Sequence, residues 1–73
     1  MFNKGDRVEL VNDATFGWGT LNKGEQGTFI DYQYGITIDN EFLLFDEPSC
    51  IIEFDTIKGQ CVCEHYEIRK VRG

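Results

Sequence analysis

Apolar residues alternate with polar ones in short runs along this chain, the period-2 signature of half-buried β-strands. Val8 and Leu10 share one face of the first run, with Arg7, Glu9 and Val11 on the other, and Gly5-Asp6 supplies the turn that leads in. From Asn12 to Gly24 the alternation breaks into polar and glycine residues around Phe16, Trp18 and Leu21, which predicts a long surface loop. A second strand is predicted from Gln26 to Tyr32, a turn at Gln33-Tyr34-Gly35, and an antiparallel neighbour beginning at Ile36-Thr37-Ile38-Asp39. Glu41 to Phe45 either extends that neighbour or makes a short turn, and Asp46-Glu47-Pro48-Ser49 reads as a turn. Core strands follow at Ile51–Phe54 and Gln60–Glu64, separated by Thr56-Ile57-Lys58-Gly59. No helical period is sustained; His65 to Ile68 has room for a single 3₁₀ turn before Arg69-Lys70-Val71.

These elements predict an all-β fold, a small five-stranded closed barrel with one long early loop, since closure removes exposed sheet edges. At 73 residues the chain makes one domain with a thin core, burying roughly 60% of the surface its unfolded form exposes.

The opening Gly5-Asp6-Arg7-Val8-Glu9-Leu10-Val11, the step Gly24-Glu25-Gln26-Gly27-Thr28-Phe29 and the closing Tyr66-Glu67-Ile68-Arg69-Lys70-Val71 resemble the SH3-like barrel superfamily, most of all its small stand-alone members such as KOW-type modules and photosystem accessory subunits. The resemblance spans nearly the whole chain and implies a fold rather than a chemistry, because glycine turns and strand edges are shared by barrels of many functions. KOW-type modules meet RNA or polymerase through basic loops; the corresponding central segment here is acidic.

Charge narrows the partners. Thirteen acidic against seven basic residues give a net charge of −6, which disfavours approach to a phosphate backbone. Asp39, Glu41, Asp46, Glu47, Glu53 and Asp55 fall in one stretch without a Lys or Arg, either as a solvated face or as a docking face for a basic partner. Lys4, Arg7, Lys23, Arg69, Lys70 and Arg72 are the set from which an alternative nucleic-acid face could be built. Three cysteines, an odd number, with no apolar leader and no Asn-X-Ser/Thr site, point to reduced thiols and a cytoplasmic protein. No apolar run approaches the roughly 20 residues that span a bilayer.

Cys61, Cys63 and His65 alternate on one predicted strand face, and Cys50 on a neighbouring strand completes a set of soft ligands. Ligands at i and i+2 on a straight strand stand about 6–7 Å apart, wider than zinc-bound thiolates prefer, so small buried apolar thiols are the favoured reading and no metal or other cofactor is expected. No nucleophile, base and oxyanion donor come together, which argues against an enzyme.

The sharper candidates are aromatic. Thr15-Phe16-Gly17-Trp18-Gly19-Thr20 sets two large rings among glycines, either as a contact offered to a partner or as a lid over the barrel end. Tyr32 and Tyr34 alternate onto one face, where nearby carboxylates would make a groove for a basic or proline-rich peptide. The expected function is a non-catalytic protein-binding module, a small accessory or phage-type protein that binds a host factor through Phe16, Trp18, Tyr32, Tyr34, Asp39, Glu41, Asp46 and Glu47. The oligomeric state is left open.

Overall fold

The structure is a computed structural model and describes residues 1–72. It is all-β, with strands β1 (Arg7–Leu10), β2 (Ala14–Phe16), β3 (Gly19–Leu21), β4 (Gln26–Ile38), β5 (Glu41–Phe54), β6 (Cys61–Cys63) and β7 (Ile68–Lys70), and a 3₁₀ turn at His65–Glu67 before β7. Five strands form one antiparallel sheet in the order β6-β5-β4-β1-β7, and β2 pairs with β3 as a separate hairpin. The sheet is open rather than a closed barrel: β6 and β7 are its two edges. Each edge strand is three residues long, which leaves little length for a closing ladder, and the core is covered instead by Ala14 and Leu21 of the β2–β3 hairpin.

The core holds Val8, Leu10, Phe29, Ile52, Phe54 and Ile68, with the three cysteines among them. Two turns of the same sequence type, Asn3-Lys4-Gly5-Asp6 and Asn22-Lys23-Gly24-Glu25, frame it. In each the acidic residue's N–H donates to the Asn carbonyl, at 2.9 and 3.1 Å, and the glycine takes a φ of +92° or +91° that side-chain-bearing residues rarely adopt. The first turn joins Gly5 and Asp6 to the backbone of Phe29, and the second joins Gly24 and Glu25 to that of Leu10. The paired glycine entries in the sequence thus hold β1 and β4 in register.

Three predicted features differ. The long loop is a tight hairpin, with Ala14↔Leu21, Thr15↔Thr20 and Phe16↔Gly19 in register around Gly17-Trp18. Three residues a side are too few to show a period, yet cross-strand threonine hydroxyls lie 3.3 Å apart. The chain does not reverse at Gln33–Gly35; β4 runs on to Ile38 and turns at Asp39-Asn40, whose φ values of +50° and +66° are the left-handed pair of a two-residue hairpin. Gly35 serves packing instead of turning, because a Cβ there would run into the Leu43 carbonyl oxygen and stand 2.6 Å from Cζ of Phe42. Finally, Asp46–Ser49 does not reverse the chain: between the pairs Gln33↔Ser49 and Gly35↔Leu44, β5 bulges out over 45–48 opposite Tyr34. Pro48 falls in that bulge, where its missing N–H breaks no ladder bond.

Candidate interaction surface on the β4–β5 arm

Beyond the bulge, β4 and β5 continue as a two-stranded arm. Its register, Gly35↔Leu44, Ile36↔Leu43, Thr37↔Phe42 and Ile38↔Glu41, assigns the faces, since directly opposed residues share a side. Tyr34, Ile36, Ile38 and Leu43 lie on one face; Gly35, Thr37, Phe42 and Leu44 lie on the other. Neither face is covered: Phe42 is 62% and Leu44 74% exposed, and Tyr34, Ile36, Ile38 and Leu43 are all about half exposed. The six large apolar side chains thus meet water on both sides of the arm, four on one face and two on the other.

An aromatic ladder ties the arm to the core. Phe2 stacks on Phe29 at 5.6 Å, Phe29 meets Tyr32 edge-on at 4.8 Å, and Tyr32 lies 6.1 Å from Tyr34. The Phe2 backbone N–H donates to the Tyr32 hydroxyl at 2.9 Å. Tyr32 and Tyr34 do share a face, and Tyr32 helps line a cleft of about 470 Å³ at the arm's root with Met1, Phe2, Glu47, Pro48 and His65. His65 Nδ1 and the Glu47 carboxylate stand 3.6 Å apart at its rim. All five ionised side chains from 31 to 47 are acidic, Asp31, Asp39, Glu41, Asp46 and Glu47.

Phe16 and Trp18 occupy a different place. Their rings stack nearly parallel at 5.1 Å, and Phe16 leans on Phe54 at 6.5 Å. Phe54 is the last residue of β5, whereas Tyr32 pairs with Cys50 and Tyr34 lies opposite the bulge at 45–48, so the two aromatic groups predicted as one site are set apart along that strand. Trp18 remains 55% exposed, so it is not sealed over the core as a lid. The acidic stretch is likewise divided. Asp39 and Glu41 flank the arm's tip, Asp46 and Glu47 occupy the bulge, and Asp55 accepts from both terminal nitrogens of Arg7, which holds its carboxyl below the usual range.

Three of the seven basic residues pair with carboxylates of the same chain. Besides Arg7 with Asp55, Arg69 meets Glu9 at 3.2 Å and Lys70 meets Asp6 at 3.4 Å. Arg69, Lys70 and Arg72 do gather beside Glu9, but Lys4 and Lys23 sit on the two glycine turns rather than with them.

Cys50 and Cys63 face each other across β5 and β6, with Cys61 opposite Ile52, all three buried and unbonded. Burial raises each thiol above its ordinary value, Cys63 to about 12 with help from the charge of Glu67. His65 lies on the 3₁₀ turn, half exposed beside Glu47, instead of completing a set with the thiols as the alternation suggested. Among the described residues no group of three or more Cys, His, Asp or Glu is arranged to hold a metal ion, and no helix is long and apolar enough to cross a membrane.

Sequence reading missed Ile36, Ile38, Phe42, Leu43 and Leu44 as surface residues. The signal was present: Asp39-Asn40 between two β-forming runs is a two-residue hairpin sequence. Comparison with known proteins finds no matching family model, no matching curated protein and no matching solved structure.

Proposed function

We propose that this chain is a non-catalytic protein-binding module, a small cytoplasmic accessory or phage-type protein that binds a host factor, and that the β4–β5 arm is its main contact element. The observation that carries this reading is the arm's uncovered apolar surface, held out on a hairpin whose charges are all acidic. Its counterpart is an apolar groove with a basic rim, because burying the arm removes the unfavourable hydration of six large side chains while Asp39, Glu41, Asp46 and Glu47 meet cations at the periphery. The Phe16–Trp18 stack offers a second, smaller contact at the other end of β5. Dispersal of the reactive groups, thiols inside and His65 outside, supports a role without catalysis. Pairing of β7 with β1 and the 3₁₀ turn ahead of β7 support an SH3-like origin for the sheet, and three unbonded thiols suit a reducing compartment.

The test is capture from native lysate with the tagged protein, with and without nuclease, beside Phe42→Ser and Trp18→Ala. A nuclease-resistant protein lost with Phe42→Ser supports the reading. Capture abolished by nuclease and falling steeply with salt would replace it with the nucleic-acid alternative.

A further inference from the structure

The arm's two edges differ. On the β5 side the sequence Glu41 to Pro48 carries three acids and the proline, which are features that block pairing with another strand. On the β4 side Tyr32-Gln33-Tyr34-Gly35-Ile36-Thr37-Ile38 has no charge and no proline. β1 accompanies β4 only over Gln26–Thr28, and the last backbone bonds on that side are those of Phe29 with Gly5 and Asp6. Past Asp31 the edge has no strand beside it among the described residues.

Which groups it presents follows from the turn. In a two-residue hairpin the flanking residues, here Ile38 and Glu41, exchange both ladder bonds, and alternation then points the N–H and C=O of Gly35 and Thr37 outward. The Gln33 side-chain amide donates to the Gly35 carbonyl at 3.3 Å, as an outward carbonyl allows.

We infer that two copies of this chain pair edge to edge through the β4 arm, antiparallel, about a two-fold axis at Ile36. The register is selected by what the others would cost. Centring on Tyr34 would bring the partner's tip against Phe29, whose backbone is already bonded to Gly5 and Asp6. Centring on Gly35 sets Asp31 opposite Asp39 of the second copy, like charges face to face. Centring on Ile36 avoids both. Gly35 and Thr37 then exchange backbone bonds with their counterparts, Ile36 meets itself, Tyr34 meets Ile38, and the apolar face doubles in width. The inference builds on the reading of the arm as an interaction element and names the occupant of its open edge; the faces stay available to a different partner. Pairing so few residues buries less than the roughly 800 Å² per partner of a standard interface, which makes the association a weak, transient one.

The experiment uses purified protein alone, so it is independent of lysate capture. Sedimentation equilibrium over about 5–500 µM, a span suited to weak association, should show a monomer–dimer equilibrium. Ile36→Lys, which sets two cations at the axis, should weaken it by about tenfold or more, while Leu44→Lys on the guarded strand leaves it in place. Under mild oxidation Ile36→Cys should form a disulfide-linked dimer at least several-fold faster than Thr37→Cys, because only residue 36 faces its own copy. A monomer throughout, a dimer indifferent to Ile36→Lys, or equal cross-linking at 36 and 37 would each overturn the inference, and none of them would touch the capture result.

Discussion

The Phe42 ring lies across Gly35 on the diagonal of the arm's ladder, close enough that a Cβ on Gly35 would fall 2.6 Å from Cζ and 2.9 Å from Cε2. The ring supplies the contact that the glycine lacks, and the arm's backbone is supported on that face without a core beneath it. Gly27 is the counterpart inside the sheet, where a Cβ would stand 2.6 Å from the Glu53 carbonyl oxygen and 2.9 Å from both Ile52 Cγ2 and Phe54 Cα.

These two glycines should behave differently when replaced. Gly27→Ala forces backbone apart in the core and should lower global stability by about 1–3 kcal/mol in urea unfolding. Gly35→Ala presses on the Leu43 backbone carbonyl as well as on the Phe42 ring, both within the arm, and should speed amide exchange in 33–46 while the exchange of β1 and Phe29 is unchanged. Equal loss of global stability from both would show that the arm and the sheet fold as one unit.

Trp18→Ala should leave the fold standing. The indole is more than half exposed and rests on Phe16, so its removal costs little of the core, within about 1 kcal/mol by chemical denaturation. A partner that uses the stack would lose about 2 kcal/mol of affinity, as a hot-spot aromatic does. Collapse of the fold in this variant would mean that the ring seals the core after all.

The thiols should resist reagents in the native state. All three are buried and held above their ordinary value, Cys63 at about 12, so little thiolate exists at pH 8 and access is blocked. A thiol-reactive chromogen should therefore react at the rate of unfolding. The linkage has a sign: with folded values raised, the unfolded chain ionises first, and the thiols' contribution is intact below their ordinary 9.0 and is lost as pH climbs from there toward the folded values. Denaturation midpoints should fall through that window, and Cys63→Ala should flatten the fall.

Acid should act on two aspartates. Asp55 is held below its ordinary 3.8 by the Arg7 hydrogen bonds, and Asp6 by the Asn3 backbone N–H first and Lys70 after it. Folded values below unfolded ones mean that the contribution is present above 3.8 and lost as pH falls beneath it, since the unfolded chain takes up protons first. Asp55→Asn should reduce the slope of stability against pH below 3.8 and leave it unchanged near neutrality apart from a constant offset; both groups are exposed, so the effect is small and shrinks with salt.

Much of this architecture could be read from local pattern. Val8 and Leu10, Ile52 and Phe54, and Cys61 and Cys63 alternate as they do because one face of each strand is buried, and Gly5 and Gly24 mark turns because only glycine takes their φ at no cost. The 3₁₀ turn at His65–Glu67 also falls where the sequence predicts it. Alternation carries no information about where a strand leaves its sheet, however. Tyr34, Ile36 and Ile38 have the same period whether they line a core or extend past it, and a glycine at 35 serves a turn or a covering ring equally well. Composition likewise lists the acids and the aromatics without grouping them.

The sequence by itself determined the strand character, the glycine turns, the acidic balance and the buried thiols, since each depends on a residue and its immediate neighbours. Tertiary structure alone decided that the sheet stays open, that the arm projects with both faces wet, and that the Phe16–Trp18 stack and the arm's tip lie at opposite ends of β5. Those outcomes follow from long-range register, the pairing of Gly27 with Phe54 and the bulge at 45–48, and register is fixed by contacts between residues far apart in the chain.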